Sequence, residues 1–158
     1  MISQLLIYHE GDIMERLLHM LLYRAFHAQR NYLRGHLGEL GLGSGQPKLL
    51  GYLAQNGPSR QRQIADYFEI DPAAVCRMLD ALCKSGFVTR RVDQGNRRAD
   101  IVELTEKGYQ AHLQWKEYCS QVEQIMLRDF SDEERTRFLD YLARAYRNLK
   151  ENEEEGHK

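Results

Sequence analysis

Cysteine is scarce. Cys76, Cys83 and Cys119 are the only three in 158 residues, and no two stand as Cys-x-x-Cys. An odd count without that spacing excludes a disulfide scaffold or a zinc ribbon and points to a reducing, cytoplasmic setting. Long apolar runs are missing too: nothing approaches the roughly 18–20 residues that span a bilayer, so no membrane partner is expected. The opening stretch, MISQLLIYHEGD, carries neither a basic leader nor a small-residue cleavage site, which argues against secretion. Charge of one sign is not in excess, since 22 Lys and Arg meet 23 Asp and Glu for a net charge of −1. Any nucleic acid must therefore be met by a local basic patch. Enzyme signatures are absent: no G-x-S-x-G, no phosphate-binding G-x-x-x-x-G-K, no G-x-G-x-x-G after a strand. The six histidines form no H-x-x-H or H-E-x-x-H pair. No catalytic residue, metal ligand or cofactor is expected. Glu133, Glu134 and Glu153 to Glu155 read as solvated charges at a helix start and a tail.

What is there is mostly helical periodicity. Residues 2–37 read as a helix, with Ile13, Leu17, Met20, Leu21, Leu22, Phe26, Leu33 and Leu37 at helical spacing and a kink near Gly11. Five glycines between Gly35 and Gly45 predict a loop. Each of the three prolines sits at a helix border. Pro47 suits the first turn of a helix carrying Leu49, Leu50 and Leu53, and Asn56-Gly57-Pro58 stops it. A short helix from Ser59 or Arg60 carries Ile64, Ala65 and Phe68. After the turn Glu69-Ile70-Asp71, Pro72 opens a further helix to Lys84, with Asp71 as cap, Val75, Leu79 and Leu82 as buried face, and Ser85-Gly86 as stop. The period then changes. Phe87–Val92 and Ala99–Leu104 alternate as strands around a polar turn, the chain's one convincing β signal and a hairpin. Thr105 caps a long helix, Ser131 and Glu134 form a capping box for the last one, and Glu151–Lys158 reads as a frayed tail.

The expected fold is mainly α with a small β-hairpin wing. Helix, short helix, turn, helix and hairpin is the order of a winged helix-turn-helix, here at 46–104, with helical regions 1–37 and 105–158 around it. In that layout the second helix of the pair enters a major groove and the hairpin reaches the neighbouring backbone. Pro72, Ala73 and Ala74 keep its start slim, and Arg77 has the planar fork that matches a guanine edge or a phosphate. Between Lys84 and Arg98, five basic residues face one acid, Asp93, whereas residues 123–155 hold ten acids and six bases. The near-neutral total hides a dipolar chain.

From Gly57 to Thr105, GPSRQRQIADYFEIDPAAVCRMLDALCKSGFVTRRVDQGNRRADIVELT resembles the MarR family of bacterial transcription regulators, and the likeness extends over nearly the whole chain. The wing resembles the family pattern of an aspartate, an arginine two on, five free positions and Leu-Thr. The pattern falls on Asn96, Arg98, Leu104 and Thr105, with an amide in place of the acid, so Arg98 lacks a charged partner there. The resemblance implies a homodimer held by the first and last two helices, two recognition helices about 34 Å apart and a pseudo-palindromic operator on double-stranded DNA. DNA-contacting residues are then Ser59, Arg60, Gln61 and Arg62 at a helix N-terminus that favours phosphate, Pro72, Ala73, Ala74 and Arg77 on the recognition helix, and Asn96, Arg97 and Arg98 on the wing. The protein is expected to be a repressor.

The resemblance also implies release of DNA by a small effector, often an anionic aromatic, bound between dimer and reader regions. His19, Tyr23, Tyr52, His112 and Trp115 are the candidates to line such a site. Cys76 and Cys83 are seven apart on one helix, too far along the axis for a disulfide within it at roughly 10.5 Å of rise. A redox- or metal-responsive regulator, and a winged-helix adaptor that binds protein instead of DNA, are the alternatives.

Overall fold

Leu49, Leu50, Ile64, Val75, Leu79, Leu82, Val88 and Val102 are all fully buried, and they come from three helices and two strands. They are the apolar positions that the helical and alternating periods select, so the core is where the sequence pattern says it must be. The computed structural model describes the backbone of residues 17–93 and 96–156 and the side chains of 17–92 and 100–152. The expected helix start and the kink at Gly11 lie outside the described residues.

Six helices are described: α1 Leu18–Leu40, α2 Gln46–Asn56, α3 Gln61–Phe68, α4 Pro72–Lys84, α5 Glu106–Met126 and α6 Asp132–Gly156. Three strands join them: β1 Ser59–Arg60, β2 Val88–Asp93 and β3 Asn96–Leu104. They form one antiparallel sheet in the order β1-β3-β2. β2 and β3 are the expected hairpin, in register from Val88 opposite Leu104 to Val92 opposite Asp100, with a shift before Asp93. The chain is mainly α with a small winged sheet, as its order of elements implied. No helix among the described residues is long and apolar enough to cross a membrane.

Three expectations are corrected. The glycine-rich stretch after 35 is not all loop: α1 runs through Gly35 and Gly38 to Leu40. Glycine costs a helix about 1 kcal/mol relative to alanine, but Leu37 and Leu40 pack onto the core from this turn. Gly41, at φ 68°, ends the helix, and Leu42 N–H closes it by donating to Leu37 O at 2.9 Å. Second, Ser59 does not open the short helix: Ser59-Arg60 pairs as β1 with Val102 and Ile101, and Arg60 then caps α3. Two residues are too few to show an alternating period. Third, the acidic tail continues α6 to Gly156, because glutamate is a good helix former.

The chain divides into two compact units, Met1–Val122 and Glu123–Lys158. In the first, α1 is tied to α5 by a polar cluster. The Tyr118 hydroxyl donates to Glu39 Oε2 at 2.9 Å, His36 Nδ1 lies 3.2 Å from the same oxygen, and the His36 and Tyr118 rings stack at 3.9 Å. Hydrogen bonds from His36 and then Tyr118 hold the Glu39 carboxyl below its ordinary range. In the second unit, Ser131 Oγ accepts from Glu134 N–H at 3.2 Å and Glu134 Oε2 accepts from Ser131 N–H at 2.8 Å. The reciprocal box starts α6 as expected.

Candidate nucleic-acid interface

The helix-turn-helix is assembled by local chemistry. α3 ends on Glu69, a non-glycine residue at φ 53°, and Ile70 N–H returns to Ala65 O at 3.1 Å. Asp71 Oδ2 then accepts from Ala74 N–H at 3.0 Å, and Pro72 supplies the first turn of α4. Gln61 Nε2 donates to Pro72 O at 3.2 Å, so the starts of α3 and α4 are braced against each other. Val75, Leu79 and Leu82 fasten α4 to the core. The opposite face, Ala73, Arg77, Asp80, Ala81 and Lys84, stands exposed. A slim start and a cation one turn in are the features a groove-entering helix needs.

The predicted phosphate contacts fall differently. Arg60 and Arg62 are exposed, Arg62 with Asp66 3.8 Å away in a solvent-screened pair. Ser59 is buried, and its hydroxyl donates to Gly57 O at 3.0 Å. Gln61 is half-buried, with its amide engaged on α4. Arg60, at the head of α3, donates its N–H to Gln63 Oε1 at 2.8 Å, so one of the helix-start donors is already used. On the wing, Asn96, Arg97 and Arg98 belong to β3, and their side chains lie outside the described residues.

Among the described residues of this basic stretch, Arg90 and Arg91 face acids. Arg91 Nε is 3.5 Å from Glu103 across the hairpin, and Arg90 Nη2 is 2.8 Å from Asp80 Oδ1 on α4. The Arg90–Asp80 contact was missed from sequence. Its signal was there: Arg90 alternates with the buried Val88, and an arginine on the inward side of a strand requires an acceptor.

The effector candidates separate into two places. Tyr52 and His112 share a cleft of about 650 Å³ between α2, the end of α3 and α5, together with Lys48, Tyr67, Tyr109 and Lys116. No acid lines it. Burial, helped by the Lys116 charge, pushes the His112 imidazole below its ordinary value. Its Nδ1 is buried without a hydrogen-bond partner among the described residues. Trp115 lines a different cleft of about 480 Å³ between α1, α2 and α5, with Phe26, Arg30, Arg34 and Leu37. His19 and Tyr23 are exposed on α1 and line neither cleft. Lys48, the one residue common to both, carried no sequence signal, because its neighbours come from three separate segments. The cysteines are all half-buried and free, and burial pushes the Cys119 thiol up.

Comparison with known proteins bears on this geometry. The sequence profile of the MarR family matches residues 44–99, the stretch that holds α2 to β3. The HTH-type transcriptional regulator YdgJ of Bacillus subtilis (strain 168) is 31% identical over 109 residues, 69% of this chain and 66% of YdgJ. The chain belongs to the MarR family. The alignment spans just under two thirds of that relative's length. The HTH-type transcriptional repressor YetL of the same organism is 28% identical over 126 residues, 78% of this chain and 72% of YetL. The crystal structure of MarR superposes with a TM-score of 0.78 at 27% identity, covering 88% of this chain and 95% of MarR. A MarR-family regulator from Listeria monocytogenes, solved in complex with a 26mer DNA, shares the fold at a TM-score of 0.77 and 22% identity, covering 86% and 90% of the two chains. Family and relatives are transcriptional regulators, not enzymes. In this MarR-family chain, α4 stands second in the helix-turn-helix and the β2–β3 hairpin follows it as the wing.

Proposed function

We propose that this MarR-family chain is a sequence-specific regulator that binds double-stranded DNA as a homodimer on a pseudo-palindromic operator. Residues 46–104 are the reader, and 1–37 with 105–158 supply the dimer contacts. The observation that carries the reading is the exposed face of α4, small at Ala73 and cationic at Arg77 and Lys84, on a helix whose other face is the domain's own core. Arg60, Arg62 and the wing residues Asn96, Arg97 and Arg98 are assigned to the phosphate backbone, with Ser59, Gln61, Pro72 and Ala74 shaping the helix starts from which those contacts are made. The repressor named among its relatives and the DNA-bound structure of a protein of the same fold support the reading. Repression follows from a dimer that occupies a promoter-proximal operator in the cytoplasm.

We further propose that a small anionic aromatic tunes the affinity. The cleft of Tyr52 and His112 suits it, with two lysines, aromatic walls and no acid among the described residues. It touches both α5 and the end of α3, the helix that leads into α4, so a bound ligand favours one spacing of the two recognition helices over another.

A gel shift at two salt concentrations tests the central claim. DNA binding that rests on phosphate neutralisation weakens steeply as salt rises. Absence of binding to any duplex, or binding indifferent to salt, sinks the proposal and favours a protein-interaction adaptor.

A further inference from the structure

Val88 on β2 and Val102 on β3 are fully buried, and strand alternation puts Arg90 on the same side of β2 as Val88. The arginine is three-quarters buried. Its Nη2 stands 2.8 Å from Asp80 Oδ1 and donates to the Cys76 carbonyl oxygen at 3.5 Å. The Cys76 thiol donates to the second Asp80 oxygen at 3.8 Å. One guanidinium on the wing therefore grips two successive turns of α4, at Cys76 and at Asp80. Arg90 Nε is buried and meets no acceptor among the described residues, so the group is held by its Nη2 end.

Asp80 lies on the exposed face of α4, between Arg77 and Lys84. A bare carboxylate there repels the phosphates that flank a groove. The same carboxylate is the handle by which the wing holds the helix. A guanidinium suits the post because its charge persists at every working pH and its fork carries several donors in fixed directions. We propose that Arg90 is a positioning residue for DNA reading: through Asp80 and the Cys76 carbonyl it fixes the rotation of α4 against the wing and masks the one acid on the groove-facing side. Arg90 is thereby withdrawn from phosphate contact. This rests on the reading that α4 enters the groove.

The test uses the 158-residue chain with Asp80→Asn, Arg90→Gln, Arg90→Lys and the Asp80→Asn/Arg90→Gln double variant. Fluorescence anisotropy measures each on a duplex selected from random sequence and on an unselected duplex of equal length. Urea melts and residual dipolar couplings of the DNA-free protein accompany it. Asp80→Asn is expected to tighten the unselected duplex yet narrow the preference for the selected one by about tenfold, an ordinary coupling within one hydrogen-bonded network. Arg90→Gln narrows the preference similarly, Arg90→Lys restores part of it, and the double variant is no worse than Arg90→Gln. The couplings report a rotated α4 in Asp80→Asn and in Arg90→Gln. The proposal is overturned if affinities for both duplexes move together, which is charge alone, or if they follow the urea midpoints, which is fold alone. Should the unaltered protein bind no duplex, the DNA reading fails separately. An α4 orientation unchanged in Arg90→Gln would then overturn the positioning role by itself.

Discussion

Gly108 illustrates how one residue joins reader to long helix. A Cβ added there would stand 2.0 Å from the Phe87 carbonyl oxygen and 2.9 Å from Leu104 Cδ2. The closeness is built by Thr105, whose hydroxyl shares its one proton between Gly86 O at 2.7 Å and Phe87 O at 3.0 Å while accepting from Gly108 N–H at 3.1 Å. Lys107 Nζ adds a donor to Ser85 O at 2.7 Å. The start of α5 is thus pinned to the end of α4 through backbone atoms that cannot give way. Gly108→Ala is expected to destabilise the chain by about 3 kcal/mol or more, at the upper end of overpacking costs, read as a lower urea midpoint. A midpoint unchanged within error would mean that the junction is looser than these contacts require. Arg77 is the other decisive single residue. Arg77→Ala should relax preference at one base pair by roughly 1–3 kcal/mol, whereas Arg98→Ala should weaken selected and random duplexes alike. Competition binding against single-base operator variants separates them, and an untouched preference in Arg77→Ala would remove α4 from the groove.

At the level of elements, legibility followed whether an element's ends are set locally. α4 was readable to the residue because Asp71, Pro72 and Ser85-Gly86 act within a few positions. α6 was readable at its start because Ser131 and Glu134 bond each other. β1 was not, since its two residues are strand only by pairing with β3. Nor was the end of α1, where contacts of Leu37 and Leu40 with the core outweigh glycine's preference for loop. Within the site, the α4 face was visible in the sequence. Ser59, expected at the DNA, is buried in β1, and the five effector candidates divide between two clefts and two exposed positions on α1. The packing of α5 on α2 carries a pH signature. His112 lies against Gly51, and burial first, then Lys116, lowers its pKa. The folded chain therefore resists protonation that the unfolded chain accepts near 6.5. Its contribution is undiminished above that value, and stability falls as pH drops through it until the folded imidazole also titrates. Urea melts at pH 8 and pH 5.5 should show a smaller loss in His112→Gln than in the unaltered chain. Equal losses would place the acid sensitivity in another group.

For the molecule as a whole, the outstanding fact is apolar surface left exposed among the described residues. Among the described residues α1 buries none of its own side chains, while Leu18, Leu21, Leu22 and Phe26 repeat along it and are each about half or more exposed. In the second unit, Phe138, Leu139, Leu142 and Leu149 are exposed along α6. Stripes of this regularity are costly in water and mark surfaces that a partner covers. On the proposed reading that partner is a second copy, because a two-fold axis would also repeat α4 at the groove spacing. Sedimentation equilibrium at micromolar concentration should give twice the 18.5 kDa chain mass. Leu21→Arg combined with Leu142→Arg should return the single-chain value while the far-ultraviolet spectrum stays helical. The same variant separates assembly from reading. With only one α4 available it should bind a half-site, and its salt slope should drop to about half, because half the counterions are released. An unaltered protein sedimenting as a single chain would overturn the dimer, and a monomeric variant that keeps the full slope would show that one copy makes all the phosphate contacts.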